Sequence, residues 1–231
     1  MNHNTTIDFN NVDQLSQTLR QRKLTKARFK LDIPQRDAAN ALYAAFTVEV
    51  EQRNIDTGRN FVFDDDTRAH ILDAASWLID TSQPPSLLLY GMFGNGKTSL
   101  ARAIARLVEY VSEQNDYSRR VRTRFLTAKD ICRICSVSER FKEQYDDYQS
   151  IFNEPFLIID DMGAEPADLI VYGMIHNPIV DIITHRYDKQ LTTIMTSNLT
   201  EKELKEKYGQ RIYDRLREMA KPILFTNKSY R

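Results

Sequence analysis

The run Gly91-Met-Phe-Gly-Asn-Gly96-Lys97-Thr98 gathers the residue types that can hold a phosphate. It fits the pattern G-x-x-x-x-G-K-[ST], in which glycines free the backbone to curl its N–H groups round phosphate oxygens. Lys97 is placed to neutralise the β and γ oxygens, and Thr98 to offer a hydroxyl to Mg²⁺. The candidate cradle is Gly91, Met92, Phe93, Gly94, Asn95, Gly96, Lys97, Thr98 and Ser99. Glycine is scarce elsewhere: the chain has 7, against about 16 at an average usage of ~7%. Leu87-Leu-Leu-Tyr90 before the run reads as a short buried strand. After it, Leu100, Ile104, Leu107, Val108 and Val111 mark one face of a helix. A phosphate loop needs that strand–loop–helix setting, because the helix N-terminus adds positive dipole.

A second constellation follows in Phe156-Leu-Ile-Ile-Asp160-Asp161, four apolar residues ending in paired carboxylates. A buried strand that presents acids at its C-terminal end puts them where open α/β sheets bind ligands. Asp160 is expected to hold the hydrated Mg²⁺, and Asp161 to orient or polarise an attacking water. A further apolar run ends in Met195-Thr196-Ser197-Asn198, and the Asn198 amide at that tip can hydrogen-bond the same water and sense the γ-phosphate. The basic stretch Gly209-Gln-Arg211-Ile-Tyr-Asp214-Arg215-Leu-Arg217 puts Arg211 and Arg215 four apart on one helix face. Either a solvated helix or an arginine reaching another subunit's γ-phosphate fits that pattern.

These groups need a scaffold. Apolar runs at 87–90, 124–127, 156–159, 191–196 and 223–225 alternate with helical patterns. Pro84-Pro85 stops the helix before the first, and Asn177-Pro178 reads as N-cap and first residue of a later one. Residues 129–149 read as two short polar helices, and Gly209 divides a late helical pair. The pattern predicts an α/β fold, a five-stranded parallel sheet covered by helices on both faces. Residues 1–60 differ in character: a basic run over 20–30, then a helix marked by Ala39, Leu42, Tyr43, Phe46 and Val50. We place a boundary near residue 60, giving a small helical, basic N-terminal region (1–60) and a nucleotide-binding domain (61–231). The N-terminal part reads either as a partner-docking adaptor or as a helical cap on the core.

Composition fits a folded globular chain, with 42% hydrophobic and 28% charged residues and equal numbers of acids and bases, 32 each. Net charge therefore does not by itself mark a polyanion-binding protein. No run approaches the ~20 apolar residues that span a bilayer, and the opening residues lack signal-peptide character. Cys132 and Cys135 are too few for a disulfide framework, consistent with a reducing cytoplasm. Their C-x-x-C spacing lacks a second pair or nearby His, so buried thiols are the better reading than zinc.

GMFGNGKT, FLIIDDMGAEP, TTIMTSNL and GQRIYDRL, in this order and spacing, resemble the AAA+ ATPases of the DnaC/DnaI helicase-loader and IstB type over roughly residues 61–231. The resemblance implies an AAA+ core without a C-terminal lid domain, ATP held with Mg²⁺ between neighbouring subunits, and a homo-oligomer. It makes Lys97 and Thr98 the Walker A residues, Asp160 and Asp161 the Walker B pair and Asn198 sensor 1. Arg215 falls at the trans-acting arginine finger, with Arg211 the second choice. Most AAA+ proteins carry Glu where Asp161 stands, and the shorter side chain implies slow hydrolysis. Lys228-Ser-Tyr230-Arg231 resembles a stretch seen in the same group, and no chemistry follows from its residue types.

The family also inserts DNA-touching helices between the second and third strands. Here that stretch carries Lys129, Arg133, Arg140 and Lys142 with Tyr145 and Tyr148, a mixture suited to single-stranded DNA through phosphate neutralisation and base stacking. Glu139, Glu143, Asp146 and Asp147 dilute the patch. The expected activity is ATP binding and hydrolysis by a factor that oligomerises on DNA. Its expected partner is a replicative helicase or, as in IstB-like proteins, a transposase. The competing readings are a P-loop small-molecule kinase and a nucleotide-dependent binding module with little turnover.

Overall fold

A computed structural model describes residues 30–57, 63–115, 121–138, 142–166, 169–171 and 174–230, with the isolated positions 13 and 16. Helix α1 (Gln35–Thr57) and helix α2 (Asp65–Ile79) precede strand β1 (Ser86–Gly91) and helix α3 (Lys97–Asn115). Then come β2 (Thr123–Thr127), α4 (Ala128–Ser138), α5 (Lys142–Asn153) and β3 (Phe156–Met162). A short antiparallel pair, β4 (Leu169–Val171) and β5 (Met174–His176), leads to α6 (Pro178–Asp188) and β6 (Thr192–Ser197). Helices α7 (Glu201–Tyr208) and α8 (Gln210–Met219) precede β7 (Ala220–Phe225).

The main sheet has the order β2-β3-β6-β1-β7, and all its pairings are parallel. Successive side chains of a strand face opposite ways, so each strand feeds two cores. Leu87, Leu89, Phe156, Ile158, Ile194, Ile223 and Phe225 pack with α1, α2 and α3 on one face. Leu88, Tyr90, Leu157, Ile159 and Met195 pack with the other helices on the opposite face, around Ile131, Ile151, Ile182, Leu204 and Leu216. The predicted five-stranded, doubly covered parallel sheet is the observed one. The β4–β5 pair was not expected, because three-residue strands offer no alternation to count.

Helix α1 lays Leu42, Phe46 and Val50 into the same core as α3, and buried Glu49 pairs with Arg106 of α3. Helix boundaries follow local chemistry. Asp64 caps α2 by accepting from Thr67 N–H at 2.7 Å. Asn177 caps α6 ahead of Pro178, and Thr200 with Glu203 forms a reciprocal capping box on α7. Arg186, fully buried in α6, donates to the carbonyls of Ile151, Phe152 and Glu154 at the end of α5 and of Thr192 at the start of β6.

The topology decides where chemistry can occur. β6 lies between β1 and β3, so its C-terminal tip stands between the loop after β1 and the acids of β3.

Candidate functional site

The phosphate loop leaves β1 at Gly91, whose φ of +122° and close approach to β7 leave no room for a side chain. A Cβ there would lie 2.2 Å from the Phe225 carbonyl oxygen. That carbonyl instead accepts from Met92 N–H and from Asn95 Nδ2, each at 3.1 Å. Lys97 is buried at the first turn of α3. Its ammonium donates to the carbonyls of Gly91 at 3.0 Å and of Met92, and to Asn95 Oδ1 at 3.1 Å. These are neutral acceptors, so an anionic phosphate oxygen competes well for the same protons.

The phosphate-loop run and the acid-bearing strand meet directly. Thr98 Oγ1 donates to Asp160 Oδ1 at 2.9 Å. Thr196 Oγ1, from β6, donates to the same oxygen at 2.6 Å. Burial pushes the Asp160 carboxyl above the usual range; the two hydroxyls oppose that shift, and the neighbouring Asp161 adds to it. A buried carboxylate beside a threonine hydroxyl is an oxygen donor pair suited to Mg²⁺, which takes few protein ligands and completes its shell with water and phosphate oxygens. The residues present therefore fit the expected ion. Among the described residues no cluster of three or more His, Cys, Asp or Glu offers a competing metal site.

In a regular strand Asp160 and Asp161 would face opposite sides of the sheet. The β3–β6 register shifts between Ile159 and Met162, and Asp161 sits at φ +55°. This bulge leaves Asp160 buried and Asp161 exposed. Asn198 Nδ2 donates to Asp161 Oδ1 at 3.1 Å. Asp161 N–H donates to Thr196 Oγ1 at 2.9 Å. The structure thus brings together Lys97, Thr98, Asp160, Asp161 and Asn198 at the C-terminal end of the sheet. Thr196, whose hydroxyl joins the two acids, was not singled out from the sequence.

Glu165 was missed as well. Buried just after the bulge, it accepts from Gly163 N–H at 2.8 Å and Tyr208 hydroxyl at 2.6 Å, and Lys207 Nζ donates to the carbonyls of Gly163 and Glu165. The turn that follows Asp161 is thereby tied to α7.

The two arginines of α8 lie elsewhere on the chain. Arg211 is exposed. Arg215 lies over the Tyr187 ring at 5.2 Å and 4.0 Å from Asp188, both on α6. Neither makes a described contact with the phosphate loop of its own chain.

In the stretch assigned to DNA, Arg133 is exposed and bonded to Asp130 at 3.0 Å. Arg140 lies outside the described residues, as does the side chain of Lys142, the first residue of α5. Of the two tyrosines expected to stack on bases, Tyr145 is exposed, but Tyr148 is buried between α4 and α5 with its ring edge-on to Phe152. A tyrosine consumed by that packing offers no stacking face, which corrects the sequence expectation. Cys132 and Cys135 are buried thiols outside any disulfide, as expected.

The sequence model of the IstB-like ATP binding protein family matches residues 12–231. The replicative helicase loader DnaI of Bacillus subtilis is 25% identical over 174 residues, covering 70% of this chain and 52% of that protein. The chain thus spans about half the length of the curated relative it matches. A solved DnaI structure superposes with a TM-score of 0.54 at 27% identity, over 74% of this chain and 88% of that one. The DnaC helicase loader gives 0.57 at 21% identity over 72% and 94%. AMPPCP-bound DnaA from Aquifex aeolicus gives 0.50 at 16% over 71% and 48%. At such identities DnaC and DnaA speak to the fold alone.

Proposed function

The chain belongs to the IstB-like ATP-binding protein family, and from that premise we propose that it is an AAA+ ATPase that assembles on DNA as a loading factor. The observation that carries the reading is the 2.9 Å bond from Thr98 to Asp160, which puts the phosphate loop and the acid-bearing strand in one site. The loop amides and Lys97 bind and orient the triphosphate. Thr98 and Asp160 would hold Mg²⁺, which would supply charge neutralisation to the bound triphosphate. Asp161, exposed and steered by Asn198, orients the attacking water and receives its proton. Arg215, with Arg211 as second choice, serves the γ-phosphate of the adjoining subunit.

The likeness to DnaI supports a replicative helicase as the partner. A transposase partner is the second reading, resting on the resemblance of the motifs to IstB-type proteins. Single-stranded DNA is the proposed track, bound through Arg133, Arg140 and Lys142. A small-molecule kinase is the weaker alternative, because the family matched is one of ATP-binding proteins of the IstB-like kind and the relative matched is a helicase loader.

Phosphate release measured alone and with single-stranded DNA tests the proposal. The wild-type chain should turn over slowly and faster with DNA. Lys97→Ala should lose nucleotide binding, while Asp161→Asn should bind ATP without cleaving it. Asparagine is the informative replacement, since it tolerates the positive φ that residue 161 adopts. Asp161→Asn hydrolysing at the wild-type rate would remove the water-orienting role.

A further inference from the structure

The segment after β7 has no part in the chemistry above, yet it grips the phosphate loop from outside. Tyr230 N–H donates to the Gly94 carbonyl at 3.0 Å. Asn227 Nδ2 lies 3.5 Å from the Asn95 carbonyl oxygen. In a trans peptide the carbonyl and the following N–H point in opposite directions. Drawing the carbonyls of Gly94 and Asn95 toward this segment therefore turns the N–H groups of Asn95 and Gly96 away from it. Successive N–H groups presented on one side are what an anion-binding nest requires. The positive φ of Gly94 and Gly96, +76° and +97°, is the backbone form such a nest takes.

The gripping segment is itself anchored to another element. The Tyr230 hydroxyl donates to Asp64 Oδ2 at 2.5 Å, sits 2.9 Å from Thr67 Oγ1 and accepts from Asn227 Nδ2 at 2.6 Å. Asp64 is the same carboxylate that caps α2. Burial raises the phenol of Tyr230, and its bond to Asp64 raises it further, so the hydroxyl stays a donor at neutral pH.

We infer that Tyr230, held by Asp64 and Asn227, is a positioning residue for the nucleotide's β-phosphate: a latch that orients the peptide planes of the phosphate loop. The inference rests on the ATP-binding reading and adds the source of the loop's preorganisation. It separates from a general structural role by which ligands feel its loss. A latch on the loop affects nucleotides that place a β-phosphate there, while a stability defect weakens every nucleotide alike.

The test is equilibrium binding of AMP, ADP and ATP to the full chain, with melting temperature measured alongside. Tyr230→Phe removes the hydroxyl contacts and keeps the ring and the backbone N–H. Tyr230→Pro removes the N–H as well. The wild-type chain should bind ADP and ATP well above AMP. Tyr230→Phe should weaken ADP and ATP by roughly five- to tenfold, the scale of one or two hydrogen bonds, and leave AMP unchanged. Tyr230→Pro should weaken ADP and ATP further, and at saturating ATP kcat should stay near wild type while KM rises. Equal loss for all three nucleotides, or no loss of ADP affinity in Tyr230→Phe, overturns the latch. A wild-type chain that binds none of the three overturns the ATP-binding reading itself, and the latch with it.

Discussion

Burial works against the charged form of the Asp160 carboxyl, and the hydroxyls of Thr98 and Thr196 are two of the donors that oppose that penalty. Hydrogen bonds to a charged group contribute about 1.5–3 kcal/mol each, so removing one changes a binding constant by roughly ten- to a hundredfold. Thr196→Val keeps the β-branched shape that suits β6 and deletes both the donor to Asp160 and the acceptor for Asp161 N–H. Phosphate release followed against Mg²⁺ concentration should show the requirement for the ion displaced upward by about tenfold or more. Thr196→Ser, which restores the hydroxyl, should return it. A Mg²⁺ curve superimposable on wild type in the valine variant would mean that Thr196 does not position Asp160. This residue also marks a limit of sequence reading. Lys97 and Thr98 were legible because the glycines that define their task are adjacent. Thr196, Glu165 and Tyr230 bond to partners 36, 43 and 166 positions away, and no local pattern announces such pairs.

Elements were more legible than side-chain networks. Each strand at the centre of the main sheet is buried on both faces, and such strands read as apolar runs whatever their order. The bulge in β3 was not legible, because its cause is register against β6 rather than any glycine or proline in β3. Nor was the staple at Arg186: an arginine in a last helical turn is normally solvated, and only the fold reveals the carbonyls it collects. Glycines at element ends permit a graded test. Gly209, between α7 and α8, has φ +82° and ψ 159°, and a Cβ added there would meet nothing within 4 Å. Gly209→Ala should therefore cost only backbone strain, about 1–3 kcal/mol, with nucleotide binding retained. Gly91→Ala adds a clash with the Phe225 carbonyl to the same kind of strain. It should lower the urea midpoint further and abolish ATP binding, because β1, β7 and the loop meet at that atom. Equal midpoints for the two variants would contradict the close approach of β7 to the loop.

Two properties belong to the whole molecule: its stability against pH and the proposed assembly. His70 ties α2 to β7, stacked on Phe225 at 3.8 Å with Nε2 at 3.1 Å from the Leu224 carbonyl and Nδ1 buried without a partner. Burial lowers its basicity, against the opposing pull of the Leu224 carbonyl and of Asp66, Asp64 and Asp73. The unfolded chain thus binds this proton more readily than the folded one. Stability from this group is complete above the ordinary histidine value of about 6.5 and is lost as pH falls below it toward the depressed folded value. Urea midpoints at pH 7.5 and 5.5 should differ less in His70→Leu than in wild type, a comparison that cancels the other titrating groups. Assembly is tested through α8. Arg215 is seated on Tyr187 and Asp188 of its own chain, so Arg215→Ala alone confuses a lost finger with a loosened α6–α8 contact. Mixing separates them. Asp161→Asn subunits should still bind ATP and carry an intact Arg215, while Arg215→Ala subunits carry an intact acid pair. If the site is shared, an Arg215→Ala subunit beside an Asp161→Asn subunit has every part it needs. Random equal mixing in a closed ring should then recover about a quarter of wild-type turnover from two inactive proteins. Arg211→Ala in place of Arg215→Ala decides between the two arginines, since only the variant lacking the true finger is both inactive alone and rescued by Asp161→Asn. No recovery at any ratio with either arginine would confine catalysis to a single chain.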